Sequence, residues 1–352
     1  MNNIHRSQLF AILMLSGAWS VLCLPRAHSG AQLLGIAAAF LVQLFLSVPM
    51  LVLAREGFSF SHTVVRQKWL GILYVLFFLL WGAHGFTQFR NAAAEINLPV
   101  SGSLTAVILI TLTCLYTCSL GLKAMARSAP AVLALLLMSI AVLIIGAAGR
   151  VDITRLAPQS EGFWRDGFFY LCIGGELTAA LVLLDRTKSG RMAALWGFLA
   201  GKALLACLII FLCICAAGRL SGLSGYPFFT LTALSQPLQS QRADALYILI
   251  FVMLYIMHIT LQTGVISHLL RMMFPKFKVS APFSLGVMIL LSWALPLSDA
   301  ISTPLFGLLI LATAFVIPAL ILLIRRFHHE KNVSAPLAAP PSSDGMRDGA
   351  YQ

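Results

Sequence analysis

FFYLCIGGELTAALVLL (Phe168–Leu184) is an apolar run of membrane length with two glycines and a glutamate at its middle. A transmembrane helix needs about 20 mainly apolar residues. Each Gly inside a helix costs about 1 kcal/mol relative to Ala, and a carboxylate at the bilayer centre costs about 2.5–3.5 kcal/mol on insertion scales. Spanning a membrane requires neither feature. We therefore expect this helix to be broken or lined by water at Gly174, Gly175 and Glu176.

The composition of the whole chain is that of a helical membrane protein. Of its 352 residues, 59% are hydrophobic and 10% are charged, whereas a soluble domain carries about 25% charged residues. The apolar runs are continuous rather than alternating, which excludes a transmembrane barrel. The net charge of +12 is spread over short segments between apolar runs. This is the pattern of membrane topology, so we expect the lipid bilayer and no nucleic acid as a partner.

The apolar runs that reach spanning length predict ten transmembrane helices, and the distribution of basic residues orients them. With the N-terminus inside, Lys and Arg are more than twice as frequent in the inner segments as in the outer ones. The positive-inside rule therefore predicts that both termini are cytoplasmic, as an even number of spans requires. The predicted spans are 8–24, 30–54, 69–89, 103–120, 130–149, 167–184, 193–217, 243–265, 280–296 and 304–324.

Two segments outside the spans carry their own signals. The outer loop 218–242 contains an apolar piece, Phe228–Leu234, and Pro227 suits the first turn of a short helix there. This helix is either a lid over a cavity or an interfacial packing helix. The segment 328–352 is rich in Pro, Ser and Ala, which predicts a disordered cytoplasmic tail after a permease-like domain at 1–327.

The two halves of the chain match in opposite orientation. Span one has Ser16 and Gly17 near its middle, as span six has its two glycines, and spans five apart cross in opposite directions. Gly-interrupted spans at matching places indicate an inverted-repeat transporter with a midplane site. The predicted fold is an all-α polytopic membrane protein, a five-plus-five inverted repeat (8–149 and 167–324) with broken helices 1 and 6. The alternative is that these glycines are close-packing points between helices.

Broken helices predict the kind of ligand, because an unwound turn frees backbone groups at bilayer depth that a cavity, water or a ligand must satisfy. Half-helix N-termini attract an anionic group, and half-helix C-termini attract a cation. Two opposed broken helices therefore suit a zwitterion.

Several motifs resemble the spore-germination receptor B subunits, the endospore germination permease family. They are IHRSQLFAILMLSGAWSVLCLP (4–25), LYTCSLGLKAMARSAP (115–130), VDITRLAP (151–158), the GGE of span six and GYPFFTLTALSQPLQSQRADALYILIFVMLYI (225–256). The resemblance covers nearly all of 4–325. It implies membership of the amino-acid/polyamine/organocation superfamily, with ten spans in a five-plus-five inverted arrangement.

The resemblance also implies a function and partners. The chain would be the subunit of a spore germinant receptor that senses a small molecule, most simply an amino acid, at the membrane midplane. Its partners would be a larger membrane A subunit and a lipoprotein C subunit. It would lie in the spore inner membrane or the cell membrane. The alternative function is a secondary amino-acid transporter coupled to H⁺ or Na⁺, because the same site serves both.

Two charged side chains fall within predicted spans. Glu176 is a candidate for binding a ligand ammonium group or for holding the broken span together by a hydrogen bond. Lys202 lies about midway along span seven, too deep to reach the interface easily, so it needs a carboxylate or carbonyl partner. An intramembrane ion pair between Glu176 and Lys202 is one arrangement, with either a structural or a coupling role.

The remaining candidate ligand-binding residues are small, aromatic or histidine side chains on spans one, three, six and eight, the helices that line the site in the superfamily. For each of the aromatic and histidine residues the alternative is a role in core packing. We find no catalytic constellation, metal-ligand set or nucleotide loop, so we expect no enzymatic activity, metal or cofactor. The candidates, with Glu176, are Ser16, Gly17, Trp19, Trp81, His84, Tyr170, Gly174, Gly175, Tyr255 and His258.

Overall fold

The structure is a computed structural model that describes residues 4–24, 30–96, 100–156, 163–171, 173–187, 190–235, 244–276, 280–295 and 299–333. Within these ranges the regular structure is helical. The helices of the first half are α1 (Arg6–Leu22), α2 (Gly30–Leu46), α3 (Val48–Arg55), α4 (Phe60–Arg66), α5 (Lys68–Glu95), α6 (Val100–Leu120) and α7 (Leu122–Ala148). Those of the second half are α8 (Phe163–Leu171), α9 (Gly175–Leu183), α10 (Arg191–Leu212), α11 (Arg219–Leu223), α12 (Pro227–Leu234), α13 (Asp244–Met273), α14 (Ser280–Ala294), α15 (Asp299–Ile310) and α16 (Ile317–Val333).

Each predicted span lies on an apolar helical segment of the described chain. Six segments of the described chain are long and apolar enough to cross alone, and α2 with α3 forms a seventh that is bent by 44°. Three shorter apolar segments, in α1, α6 and α14, complete the set. The all-α polytopic membrane fold is therefore confirmed.

The contacts between the helices of the two halves follow the symmetry of an inverted repeat. Helix α1 of span one packs along α10 of span seven, and α2 of span two packs along α8 of span six. Exchanging the halves turns the first contact into the second. Helices α5 and α13, from the equivalent spans three and eight, pack on each other. Exchanging the halves leaves this contact unchanged. The five-plus-five arrangement thus appears in the contacts between helices.

The two predicted breaks have different outcomes. Span six is broken as expected, because α8 ends at Leu171 and α9 begins at Gly175. The predicted break in span one is wrong, because α1 runs unbroken through Ser16 and Gly17. A Cβ on Gly17 would lie 3.0 Å from a ring carbon of Phe198. Gly17 is therefore a close-packing point of α1 against α10.

The outer loop forms the short helix that its sequence predicts. Helix α12 has Pro227 in its first turn, and the ring of Phe229 lies 4.9 Å from that of Phe251 on α13. The hydroxyl of Tyr226 donates to the carbonyl of Gln88 at 3.1 Å. Through these contacts α12 packs on α13, and the residue before it is bonded to α5.

The predicted tail begins later than the sequence indicates. Helix α16 continues to Val333, so residues 328–333 are helical and not disordered as predicted. A helix that leaves the membrane carries on while its backbone bonds remain satisfied, whatever the hydropathy of its last turns. Residues 334–352 lie outside the described part of the chain.

Charged groups on the predicted outer face fasten the connection after α7 to span seven. The hydroxyl of Thr154 donates to a carboxylate oxygen of Asp152 at 2.6 Å, and its backbone amide does so at 3.1 Å. These two bonds, with a smaller effect of Arg155, hold the pKa of Asp152 below its ordinary value. Arg155 in turn donates to the carbonyls of Cys215 and Ala216 at the end of span seven.

Candidate functional site

A buried ion pair lies directly at the break in span six. The Nζ of Lys202 is 3.2 Å from Oε2 of Glu176, and their side chains are 2% and 0% exposed. The other carboxylate oxygen accepts a hydrogen bond of 2.7 Å from the hydroxyl of Ser20. Each oxygen of Glu176 thus has a partner, and the three residues tie α1, α9 and α10 together.

The position of Glu176 on α9 adds to its stabilisation. It lies in the first turn of α9, where the positive end of the helix dipole favours a carboxylate. The preceding residue, Gly175, packs against the indole of Trp81, and a Cβ there would lie 2.5 Å from its Cε2. Only Gly lets Trp81 cover the start of α9 so closely. The pair of glycines therefore both ends α8 and admits this side chain.

The carbonyl groups that the break frees at the end of α8 are satisfied by Gln43 of α2. Its Nε2 donates to the carbonyl of Leu171 at 3.3 Å and approaches that of Tyr170 at 3.5 Å. Gln43 is 1% exposed. The sequence analysis missed it, although an amide deep in an apolar span is itself a signal of a polar partner at that depth.

The face of α1 around Ser16 contacts span eight. The hydroxyl of Ser16 lies 2.9 Å from Nδ1 of His258. One residue on, a Cβ at Gly17 would lie 3.5 Å from Cδ of Lys202. Ser16 and Gly17 thus position α1 between the histidine of α13 and the lysine of α10.

Five predicted residues from spans one, three and eight form one ring cluster, which we define as Trp19, Trp81, His84, Tyr255 and His258. The ring of Trp19 lies 4.8 Å from that of Tyr255 and 6.3 Å from that of His258. The ring of Trp81 lies 5.8 Å from His84 and 6.4 Å from His258. The ring cluster therefore runs continuously across α1, α5 and α13 beside the ion pair.

Phenylalanines that the sequence analysis did not single out complete the walls of the ring cluster. Phe89 stacks on Tyr255 at 4.4 Å between ring centroids, with the rings 11° from parallel. Phe306 lies 4.9 Å from the ring of His84. Phe251 contacts Trp19 at 4.4 Å and links it to the outer helix α12. In an apolar sequence these residues carry no signal that separates them from ordinary core residues.

Several buried polar atoms without partners lie in this region, and others lie elsewhere in the described chain. Burying such an atom costs about 1–3 kcal/mol when its hydrogen bond is not made, and native proteins hold few of them. Trp Nε1 only donates, whereas a Tyr hydroxyl both donates and accepts. Five of the predicted site residues each carry a buried polar atom that has no hydrogen-bond partner in the described part of the chain. These atoms are Trp19 Nε1, Trp81 Nε1, His84 Nδ1, Tyr170 Oη and Tyr255 Oη.

The predicted candidates therefore fall into one region of the fold. Tyr170, on α8, lies with its ring centroid 5.8 Å from Nζ of Lys202. Gly174 lies at the break, where a Cβ would be 3.1 Å from a methyl group of Ile310. Binding of a ligand by these residues stays a prediction. Among the described residues, His, Cys, Asp and Glu form no group of three or more that could hold a metal ion.

The far end of the broken span is fastened to the predicted cytoplasmic face. Asp185, just after α9, accepts a hydrogen bond of 2.8 Å from the amide of Phe60. It also accepts bonds from the amide and the hydroxyl of Ser61, so it caps the N-terminus of α4. Nη2 of the next residue, Arg186, lies 2.9 Å from Nδ1 of His268 on α13. Movement of α9 must therefore move α4 or break these bonds.

Comparison with known proteins gives a fold and no family. No protein-family model matches the chain, and no curated protein sequence matches it significantly. Among solved structures, the chain is similar to Mhp1, described as a nucleobase-cation-symport-1 family transporter, in a closed conformation with bromovinylhydantoin bound. The TM-score is 0.62 at 15% identity, over 93% of this chain and 80% of that one.

A second structure of the same transporter is also similar. The inward-facing conformation of Mhp1 matches with a TM-score of 0.55 at 15% identity, over 88% of this chain and 74% of that one. Identities this low establish the fold and not the activity. The chain therefore has a transporter-type permease fold and is an integral membrane protein.

Proposed function

We propose that this protein binds a small solute inside the membrane, between α1, α5, α8 and α13, beside the break in span six. The observation that carries the proposal is the set of five unpartnered buried polar atoms that the predicted site residues hold on those four helices. A solute with acceptor atoms would satisfy the indole N–H groups and tyrosine hydroxyls, while the rings of the cluster pack on its apolar part. Elsewhere in a protein core such atoms are normally paired.

The ion pair has a supporting role in this proposal. Glu176 is neutralised by Lys202 and bonded to Ser20, so a ligand ammonium group would have to displace Lys202 to reach it. The polar groups that a solute would bind are the unpartnered ones of the ring cluster. Glu176 then acts as a positioning residue that holds α1, α9 and α10 around the site. The sequence resemblance implies a small amino acid or a similar solute. The site would hold such a solute by its polar atoms other than an ammonium group.

We further propose that binding serves sensing, as in the germinant-receptor subunits that the sequence resembles. In this role the solute biases the protein between two conformations, and the change is passed to the A and lipoprotein C subunits in the spore inner membrane. Both termini would lie in the cytoplasm, as the distribution of basic residues predicts.

A second candidate function is secondary active transport coupled to H⁺ or Na⁺. It is favoured by the likeness to Mhp1, which is described as a transporter and has been solved in closed and inward-facing conformations. Sensing and transport share the binding step. They differ in whether solute is released on the other side of the membrane.

The binding step is tested by calorimetry on the purified chain with a panel of amino acids and other small solutes. Tyr255→Phe removes one unpartnered hydroxyl and keeps the ring, so affinity for a bound solute should fall about 2- to 12-fold. The matched control is Tyr74→Phe. The hydroxyl of Tyr74 already donates to the carbonyl of Thr313 at 2.7 Å, so this change should lower stability and leave affinity unchanged. Equal effects of the two variants on affinity would contradict the assignment of the site.

The two uses of the site are separated by a second experiment with the solute found in the first. Uptake of the labelled solute into liposomes by the chain alone, abolished by collapsing the ion gradients, supports transport. Binding without uptake, together with a shifted germination dose curve in the Tyr255→Phe strain, supports sensing.

A further inference from the structure

The predicted cytoplasmic face carries an open groove away from the ring cluster. It encloses about 770 Å³ between α16 and the segment from Gly57 to Gln67, which includes α4. Ser59, His62 and Thr63 form its polar wall, and Ile321 and Ile324 of α16 form its apolar wall. The groove is therefore amphipathic, with one side suited to a polar group and the other to hydrocarbon.

Two guanidinium groups give the groove its charge. Arg66, at the end of α4, and Arg325, on α16, both line it, and none of the described lining residues is acidic. Arg325 lies 3.5 Å from a carboxylate oxygen of Glu56, in a pair whose side chains are 48% and 43% exposed. Water screens such a pair, so it contributes little, and a guanidinium can bind a phosphate through two parallel hydrogen bonds. An anionic group is the complement of this lining.

The surroundings of the groove place it at the boundary between bilayer and water. Trp69, two residues after the groove, is 63% exposed at the start of α5, and tryptophan is enriched at the level of lipid headgroups. On α16, Leu320 and Ile324 are 49% and 55% exposed on an apolar helix. These side chains would face the hydrocarbon, since 304–326 is long and apolar enough to cross a membrane. The polar and apolar walls therefore meet where a phospholipid has its phosphate and the start of its chains.

We propose that the groove binds one anionic phospholipid, with its phosphate between Arg66 and Arg325 and an acyl chain along Ile321 and Ile324. Basic pockets between transmembrane helices at the headgroup level bind lipids of this class. The lipid would join α16 to α4. Because Asp185 caps α4 from the end of α9, the lipid would also stabilise the contact between α4 and the end of the broken span.

Native mass spectrometry of the full chain in detergent tests the proposal, with phosphatidylglycerol and phosphatidylcholine added at equal concentrations. A basic side chain near the headgroups contributes roughly a fivefold preference for anionic lipid, so two give about thirtyfold. We expect Arg66→Gln/Arg325→Gln to lose this preference to within about twofold. Arg66→Lys/Arg325→Lys keeps both charges and should retain most of it. Arg127→Gln, at an exposed arginine outside the groove, should retain all of it.

Four outcomes would overturn the proposal. The first is equal affinity for the two lipids in the unmodified chain. The second is a full preference in the Arg66→Gln/Arg325→Gln variant when its helicity by circular dichroism matches that of the unmodified chain. The third is complete displacement of the lipid by inorganic phosphate at the same concentration, which would mean that the groove recognises free phosphate. The fourth is a preference that develops only after residues 334–352 are removed, which would make that segment the occupant.

Discussion

Removing Lys202 should destabilise the protein more than removing both members of its ion pair. Lys202→Met keeps the length of the side chain and removes its charge. Of the two partners of the buried Glu176 carboxylate, Lys202 and Ser20, only Ser20 then remains. Breaking a buried pair in this way costs about 3–5 kcal/mol. Total stabilities are about 5–15 kcal/mol, so the variant should lose a large share of its free energy of unfolding.

The double variant Lys202→Met/Glu176→Gln should recover most of this loss. Both charges are then absent, and the amide oxygen of Gln still accepts the bond from Ser20. Replacing a buried pair by neutral side chains is often close to neutral, so we expect the double variant within about 2 kcal/mol of the unmodified chain. The two substitutions should therefore couple by several kcal/mol, where independent sites would add to within about 0.5 kcal/mol.

The assay is the free energy of unfolding in detergent micelles, followed by circular dichroism for the two single variants and the double variant. Lys68→Met is the matched control, because Lys68 is exposed and surface substitutions usually change stability by less than about 0.5 kcal/mol. The reasoning is refuted if Lys202→Met costs less than about 1 kcal/mol, or if the losses of the two single variants simply add in the double variant.

Three further substitutions test how the break in span six is held. Gly175→Ala should cost about 1–3 kcal/mol of stability by overpacking against Trp81, although Ala is the better helix former; a stabilised variant in thermal unfolding would contradict this contact. Gln43→Leu should cost about 1–3 kcal/mol in the same assay because it leaves the carbonyl of Leu171 without its donor; an unchanged midpoint would show that another group satisfies that carbonyl. Asp185→Ala should cost about 1 kcal/mol and speed hydrogen exchange in α4; unchanged exchange there would show that the cap does not hold α4.

Much of the fold was predictable because hydropathy is a local property of the sequence. Each predicted span lies on a helix or a helix pair, and the sides on which the connections lie stay a prediction from their charges. Helix α4 was missed, because its seven residues form in the loop between spans two and three. Ser59 caps its start locally, and Asp185, from a distant segment, accepts from the next two amides. Contacts between residues so far apart in the sequence leave no periodic pattern in it.

The candidate site was predictable as a set of residues on particular helices, and its arrangement was not. Trp19, Trp81 and Tyr255 were named because they lie on spans that line the site in the superfamily that the sequence resembles. Their mutual ring contacts depend on the rotation of α1, α5 and α13 about their axes. Gln43 and Ser20 were missed, since a single polar side chain in a span does not say which partner it meets.

The break in span six was determined by the sequence alone, since two adjacent glycines and a carboxylate at bilayer depth disfavour a continuous helix whatever surrounds them. The tertiary structure decided what the other signals meant. Ser16 and Gly17 suit an unwound turn or a close contact equally well, and the ring of Phe198 against Gly17 made them a contact. Likewise, depth alone required a partner for Glu176 and for Lys202, but only the packing of α9 and α10 against α1 made each the partner of the other.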